Sequence, residues 1–162
     1  VDLWGDPSGP GGTAAAGVLG TALPTVPSTC AEGADSTVII WFGPEEWLVT
    51  STARAGEELE AALRDVIAEH GGAAVDVSAQ RTTVRLRGGH ARDVLAKGCS
   101  LDLHPSVFGR GAAAATTLGL AAVVLIPLDD TGTDYRIVVR SSFAGYVADW
   151  LLDAAEEFGV AW

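Results

Sequence analysis

Residues 37–50 read TVIIWFGPEEWLVT and predict two consecutive β-strands. β-Branched and aromatic residues fill the first run, 37–42, which ends at Gly43 and Pro44, two residues that interrupt a strand. The second run, 47–50, has the same character. Because a helical pattern follows at once, this pair of strands marks the point at which a regular fold begins.

The chain beyond this pair alternates between helical and strand patterns. Apolar side chains from Leu59 to His70 fall on one helical face and predict a helix over 57–70. The remaining patterns predict strands over 73–77, 82–87 and 135–140 and helices over 90–97 and 143–158. This order predicts an α+β fold in which mixed or antiparallel sheets are covered by helices.

One uncharged run, residues 111–128, raises the question of a membrane span. Its first half is mostly alanine, which is too weakly hydrophobic to drive insertion. Gly119 divides the run into two pieces of strand length, and the second piece is rich in β-branched residues. We therefore expect two buried strands and no membrane span.

Residues 1–35 are rich in glycine, proline and alanine and lack a sustained period. They predict an extended arm or loop-rich entry, which is followed by a single domain over 36–162. Trp4 stands out in this arm. It either folds back on the chain's own surface or anchors on a partner, because tryptophan often dominates interfaces.

Composition excludes several classes of function. The chain has 162 residues, of which 48% are apolar, enough for a sizeable core. Ten lysine and arginine residues stand against 21 aspartates and glutamates, which gives a net charge of −11. This balance argues against nucleic acid and against an anionic membrane surface as partners.

No residue pattern points to catalysis or to a bound metal. Cys30 and Cys99 cannot form a disulfide framework, and the three histidines are scattered along the chain. No phosphate-binding glycine loop or nucleophile motif is present. We therefore expect no catalytic, cofactor-binding or metal-binding residue in this chain, and the cysteine usage together with the lack of a signal-peptide pattern predicts a cytoplasmic location.

The most informative cluster is basic. Half of all the cations lie within 17 residues: Arg81, Arg85, Arg87, Arg92 and Lys97. Such a cluster suits an acidic partner surface or a polyanionic cofactor. The alternative is that these cations pair with the chain's own excess of carboxylates, such as Asp76, Asp93 and Asp102.

Several segments resemble one family. Residues 41–48 (WFGPEEWL), 76–83 (DVSAQRTT) and 140–143 (RSSF) match its motifs, and residues 91–104 (ARDVLAKGCSLDLH) match them best. Together these segments, spread over about 37–152, resemble the gamma subunit of heterotetrameric sarcosine oxidase. The resemblance implies a fold like the folate-binding domain of aminomethyltransferase, the T-protein of glycine cleavage.

The resemblance also implies an activity for the complex. Such an enzyme oxidatively demethylates sarcosine to glycine, forms hydrogen peroxide and passes the one-carbon unit to tetrahydrofolate. FAD, FMN, NAD, zinc and tetrahydrofolate then belong to other subunits, and none is bound by this chain. The implied partners are the alpha, beta and delta subunits, chiefly alpha, and this chain is implied to be a non-catalytic accessory subunit.

Two alternatives stay open at this stage. A gamma-like chain also accompanies N-methylglutamate dehydrogenase, so the amine substrate is less certain than the type of complex. The other alternative is a free-standing folate-binding protein of one-carbon metabolism. It would require a pocket that holds a carboxylate, Asp76 or Asp102, together with an arginine.

The sequence suggests which residues would contact a larger subunit. In the turn at 76–83, Asp76 and Ser78 can satisfy backbone donors while Gln80 and Arg81 extend outward. Arginine and tryptophan are enriched at interfaces. The candidate interface residues are Trp4, Trp47, Gln80, Arg81, Arg85 and Arg87.

This choice generates a prediction for Arg81→Ala. If Arg81 contacts a partner, the substitution weakens assembly with the larger subunits more than it lowers the melting temperature of the isolated chain. Pull-down titration and thermal unfolding of the same preparation measure the two effects. The reverse pattern would make Arg81 a structural residue.

Overall fold

The computed structural model describes residues 1–159 and has two compact units, Val1–Ser78 and the chain from Ala79 onward. Within the described residues each unit contains one sheet, in which every strand pairing is antiparallel. The predicted α+β class is therefore confirmed. The boundary between the units lies between residues 78 and 79 of the chain, where the sequence suggested none, and a single domain over 36–162 stays a prediction.

The first unit is built on a five-stranded sheet in the order β2-β3-β4-β1-β5. Its long central hairpin is the predicted pair of strands, joined at a register shift beside Gly43. The strands are β1 (Asp2–Trp4), β2 (Cys30–Glu32), β3 (Thr37–Gly43), β4 (Glu46–Ser51) and β5 (Ala73–Val75).

Two helices complete the core of this unit, α1 (Pro10–Leu19) and α2 (Gly56–Ile67). Leu59, Leu63 and Ile67 of the predicted apolar face are buried, whereas His70 is exposed in a 3₁₀ turn, Ala68–His70, that follows α2. Gly71 then adopts the left-handed conformation that ends a helix. Helix and sheet side chains share one cluster, which includes Leu19, Ile39, Trp47, Leu59 and Leu63.

The irregular arm predicted over 1–35 is wrong in its local structure. Leu3 lies in β1 between β4 and β5 and is 1% exposed. Pro10 begins α1, where proline is favoured, and Gly20 ends it in the left-handed conformation. These elements could not be predicted from the sequence. β1 has only three residues, and α1 consists mainly of alanine and glycine, so it has little amphipathic periodicity.

The second unit is built on a four-stranded sheet in the order β6-β9-β8-β7. The uncharged run forms a hairpin whose two strands are joined at Gly119 and Leu120, as predicted. The strands are β6 (Arg81–Arg87), β7 (Ala114–Leu118), β8 (Ala121–Pro127) and β9 (Asp134–Arg140). Within residues 1–159, no helix has the length and apolar character needed to cross a membrane.

Helices α3 (Ala91–Ala96) and α4 (Ala144–Ala155) pack on one face of this sheet. Their shared core includes Leu95, Ile137, Val147 and Leu151. Helix α4 is preceded by a 3₁₀ turn, Ser141–Phe143, and no side chain caps its first turn. The Ser141 hydroxyl instead donates a hydrogen bond to the carbonyl oxygen of Ala79, 3.1 Å away.

The packing of β1 predicts the effect of Leu3→Ala. Loss of a buried leucine side chain costs about 2–5 kcal/mol of unfolding free energy, which urea denaturation can measure. Val26→Ala is the matched control in the same segment, since Val26 is 61% exposed. Its effect should stay within about 0.5 kcal/mol. Equal, small effects of both variants would contradict the placement of β1 in the core.

Candidate partner-binding surface

Strand β6 is an edge strand of the second unit and carries the centre of the predicted basic cluster. Within residues 1–159 it pairs only with β9, in a register that sets Arg85 opposite Arg136 and Arg87 opposite Asp134. Its side chains alternate as the sequence predicts. Val84 and Leu86 pack toward the helices, whereas Arg85 and Arg87 are exposed on the other face.

Asp134 is the carboxylate around which the exposed arginines gather. Arg85 Nε and Nη2 donate to its two oxygens at 2.9 and 2.5 Å, a bidentate pair. Arg87 Nε lies 3.8 Å from Asp134 Oδ2. The hydrogen bonds from Arg85 hold the pKa of the Asp134 carboxyl below its usual value, and the same bonds raise the pKa of Arg85.

Positive charge exceeds negative charge on this face of β6 and β9. Because directly opposite residues share a face, the register brings Arg136 beside Arg85 and Arg140 beside Arg81. The strands therefore place five arginines and one aspartate on one face: Arg81, Arg85, Arg87, Arg136, Arg140 and Asp134. We call this set the arginine face. Arg136, Arg140 and Asp134 lie outside the basic cluster that was predicted from the sequence, because only the strand pairing brings them to this face.

The other two cations of the predicted cluster are separated from the arginine face by the sheet. Arg92 and Lys97 belong to α3 and its end, on the helix side. Lys97 Nζ donates to the Ala154 carbonyl oxygen, contacts the Glu157 carboxylate and lies 4.9 Å from the centre of the Phe158 ring. Lys97 thus fastens the end of α4.

The predicted carboxylate partners were wrong for this cluster. Asp76 accepts hydrogen bonds from the amide and hydroxyl of Ser78, which lower the pKa of its carboxyl. Asp93 pairs with His90 at 3.1 Å. Asp102 accepts the amide of His104. Each carboxylate thus bonds a residue two or three positions away, and the cluster's main partner is the distant Asp134.

The turn that precedes β6 has part of the predicted local geometry, because Asp76 accepts a backbone amide there but the Ser78 hydroxyl bonds Asp76 and not the backbone. Asp76 accepts a hydrogen bond from the Ser78 amide, and Ser78–Gln80 form a 3₁₀ turn that leads into the strand. Gln80 is exposed and Arg81 is half-buried. An outward-directed Gln80 beside the arginine face is therefore available for a contact with another chain.

The two predicted tryptophans lie in the first unit and differ in exposure. Trp4 ends β1 and is half-buried beside a cavity of about 130 Å³ whose lining includes Asp6 and His70. Trp47 is fully buried, and its Nε1 donates to the Pro24 carbonyl oxygen at 2.7 Å. Trp47 is therefore a core residue, and its prediction as an interface residue is wrong.

An apolar groove runs beside the helix-facing side of β6. It has a volume of about 320 Å³ and is lined by β6, the start of α3 and one side of α4. Leu152 is 38% exposed there. Phe158 closes one end, with its ring stacked on His90 at 4.4 Å. We call this feature the β6 groove.

A second depression, of about 280 Å³, contains the residue types that the folate alternative requires. Arg92, Asp102 and His104 line it. Asp102 is already bonded to the His104 amide, and His104 Nδ1 is 2.7 Å from the Ser106 hydroxyl. Within residues 1–159, no three histidine, cysteine or carboxylate side chains are grouped so as to hold a metal ion.

Comparison with known proteins gives consistent matches over nearly the whole chain. The model of a family described as "Sarcosine oxidase, gamma subunit family" matches residues 4–157. The sarcosine oxidase subunit gamma of Corynebacterium sp. strain P-1 is 38% identical over 151 residues, which are 93% of this chain and 72% of that protein. The subunit gamma of Arthrobacter sp. is 36% identical over 152 residues, which are 94% and 73% of the two chains.

A solved structure matches in three dimensions as well. It is a heterotetrameric sarcosine oxidase from Corynebacterium sp. U-96 in complex with pyrrole 2-carboxylate. The match has a TM-score of 0.88 at 33% sequence identity and covers 99% of this chain and 80% of the matched chain. It is consistent with the folate-binding type of fold that the sequence resemblance implies.

The Arg85–Asp134 pair predicts a pH-dependent contribution to stability. Because the pKa of Asp134 is lower in the folded chain, the pair stabilises the fold fully above the usual aspartate pKa of about 4, and this contribution is lost as pH falls from there through the lower pKa of the folded state. Asp134→Asn should therefore lose stability at pH 7, and its difference from the unsubstituted chain should shrink as pH falls below about 4. Urea unfolding across this pH range measures the difference. Asp149→Asn, an exposed site on α4, is the control, and the idea fails if both variants follow the same curve.

Proposed function

We propose that this chain, which belongs to the sarcosine oxidase gamma subunit family, works as the gamma subunit of a heterotetrameric sarcosine oxidase. The family match over residues 4–157, which includes both compact units, is the observation that carries this proposal. The chain is thus a subunit of an oxidoreductase. The complex demethylates sarcosine to glycine with formation of hydrogen peroxide and transfers the one-carbon unit to tetrahydrofolate.

Within this complex the chain acts as an accessory subunit whose work is assembly. Its partners are the alpha, beta and delta subunits, chiefly alpha. Both compact units of the chain belong to this one gamma subunit. FAD, FMN, NAD, zinc and tetrahydrofolate are bound by the other subunits. The complex is cytoplasmic, in line with Cys30 and Cys99, which form no disulfide within residues 1–159.

The arginine face and the turn before it form the contact with a larger subunit. Gln80, Arg81, Arg85 and Arg87 contribute to this contact. Trp4, in the first unit, is proposed as a separate contact residue. The support is electrostatic: Arg85 and Arg87 have side chains that are 58% and 74% exposed, in a chain whose net charge is −11. Such a concentration of arginine suits an acidic surface on the partner.

The alternatives are less well supported. The named relatives are sarcosine oxidase subunits, which favours this complex over an N-methyl amino acid dehydrogenase. A free-standing folate protein would need a carboxylate that is available to a ligand. Asp76 and Asp102 are instead bonded within their own turns.

Co-purification tests the proposal and the charge of its interface together. The tagged full chain, isolated from its native cells, should bring larger subunits, a flavin absorbance spectrum and sarcosine-dependent peroxide formation. Arg87→Glu should reduce the recovered flavin severalfold, because it reverses a charge that faces the partner. Arg64→Glu is the control, since it makes the same change of charge on α2 of the first unit.

Two results would contradict this function, and a third would contradict only the proposed interface. A chain that elutes alone and colourless is not a gamma subunit. Peroxide formation or dye reduction with N-methylglutamate in place of sarcosine would move the chain to the dehydrogenase alternative. Equal recovery with both variants would remove Arg87 from the interface while leaving the assembly itself in place.

A further inference from the structure

The outer edge of β6 carries backbone groups that can be assigned from the strand pairing. The Gly88 amide bonds the Thr133 carbonyl oxygen, and the Leu128 amide bonds the Asp134 carbonyl oxygen. In an antiparallel pair, hydrogen-bonded and non-bonded positions alternate. Both bonds lead to the same assignment. The backbone groups of Val84 and Leu86 bond β9, and those of the residues that alternate with them point away from β9.

Three residues therefore present an N–H and a C=O at the open edge: Thr83, Arg85 and Arg87. Within residues 1–159, no described hydrogen bond joins these outward groups to another part of the backbone. The spacing of these unpaired donors and acceptors along the edge matches that of the complementary groups on a second strand. A peptide in extended conformation is the ligand that matches it group for group.

The β6 groove lies where the side chains of an added strand would go. Residues of an added strand that are opposite Val84 and Leu86 would share their face of the sheet and enter the groove. Leu152 and Phe158 form part of its apolar lining. Its volume, about 320 Å³, lies at the lower end of the usual range of ligand pockets, roughly 300–1,000 Å³. This is room for a few apolar side chains.

The opposite side of the added strand would meet the arginine face. Residues across from Arg85 and Arg87 would lie on the exposed side, where Asp134 compensates only part of the positive charge. An aspartate or glutamate at these positions gains an opposite charge, and a lysine or arginine is repelled. The two faces of the edge thus require different side chains in alternation.

We propose that the open edge of β6 binds an extended segment of another subunit, as an added strand in which apolar and acidic side chains alternate. The inference rests on the proposed function and specifies how the contact is made. The apolar side chains fill the β6 groove, the acidic ones pair with Arg85 and Arg87, and the backbone bonds join the segment to the sheet.

A second copy of this chain is the competing occupant, and charge disfavours it. Pairing of β6 with itself about a two-fold axis at Arg85 would set Arg85 against Arg85 across the new ladder. Like charges directly opposite each other destabilise a strand pair. The arginines therefore protect the edge from self-association and leave it open to an acidic strand.

Hydrogen exchange provides the first test. Residue-resolved exchange is measured on the full chain alone and in the assembled complex. The amides of Thr83, Arg85 and Arg87 should exchange at least about tenfold more slowly in the complex, because each gains a hydrogen bond. The reference is Thr117, which points outward at the opposite edge of the same sheet, since Leu118 and Ala121 flank the two-residue hairpin.

Proline substitution supplies the matched pair of variants. Thr83→Pro removes an outward donor of β6 without removing a bond to β9, and Thr117→Pro does the same at β7. Proline is tolerated at such edge positions. Thr83→Pro should weaken assembly about tenfold or more, and Thr117→Pro should leave it unchanged. If a proline variant does not fold, Leu152→Glu tests assembly from inside the groove in the same way. Leu120→Glu is its control, since Leu120 is exposed.

The outcomes separate this inference from the proposed function. If the unsubstituted chain fails to assemble with flavin-containing subunits, the proposed function itself fails. If it assembles but the β6 amides stay unprotected and Thr83→Pro behaves like Thr117→Pro, the strand addition is wrong and the function stands. Protection of β6 in the isolated chain, accompanied by a dimer mass in light scattering, would overturn the inference in favour of a second copy.

Discussion

The antiparallel ladder between β6 and β9 is the constraint on which the candidate surface depends. Its register decides at once which side chains enter the core and which remain outside. A shift by one residue would turn Arg85 and Arg87 toward the helices and expose Val84 and Leu86. Burying two guanidinium groups without partners costs far more than the ladder supplies. The core of the second unit therefore holds the arginine face in place.

The ion pair at the end of this ladder has a role that differs from simple stabilisation. Arg85 donates to both oxygens of the Asp134 carboxylate, yet its side chain is 58% exposed. Much of the Coulomb energy of the pair is therefore screened by water. The pair's clearer effect is geometric, because it holds the guanidinium group in one orientation. An arginine with a fixed orientation loses less entropy when it binds a second carboxylate.

The parts of the fold that could be predicted are those in which a local pattern is strong. β3, β4, β6 and β9 are rich in β-branched residues, and α2 has a clear apolar face, so each was predicted at nearly its observed bounds. β1 was missed because three residues carry no period, and its stability comes from the two strands beside it. Asp134 was missed for a related reason. It lies 49 residues from Arg85, and only the strand register brings the two together.

The contrast between net charge and local charge explains how one edge can be both protected and specific. A chain with a charge of −11 repels most acidic proteins at long range, but this repulsion is screened beyond about 8–10 Å in physiological salt. At shorter range the excess of arginine on β6 and β9 dominates, and it favours carboxylates there. A segment that reaches the edge must also match the backbone spacing and fill an apolar groove. Charge alone would admit any acidic peptide, so it is the combination of these three requirements that makes the edge selective.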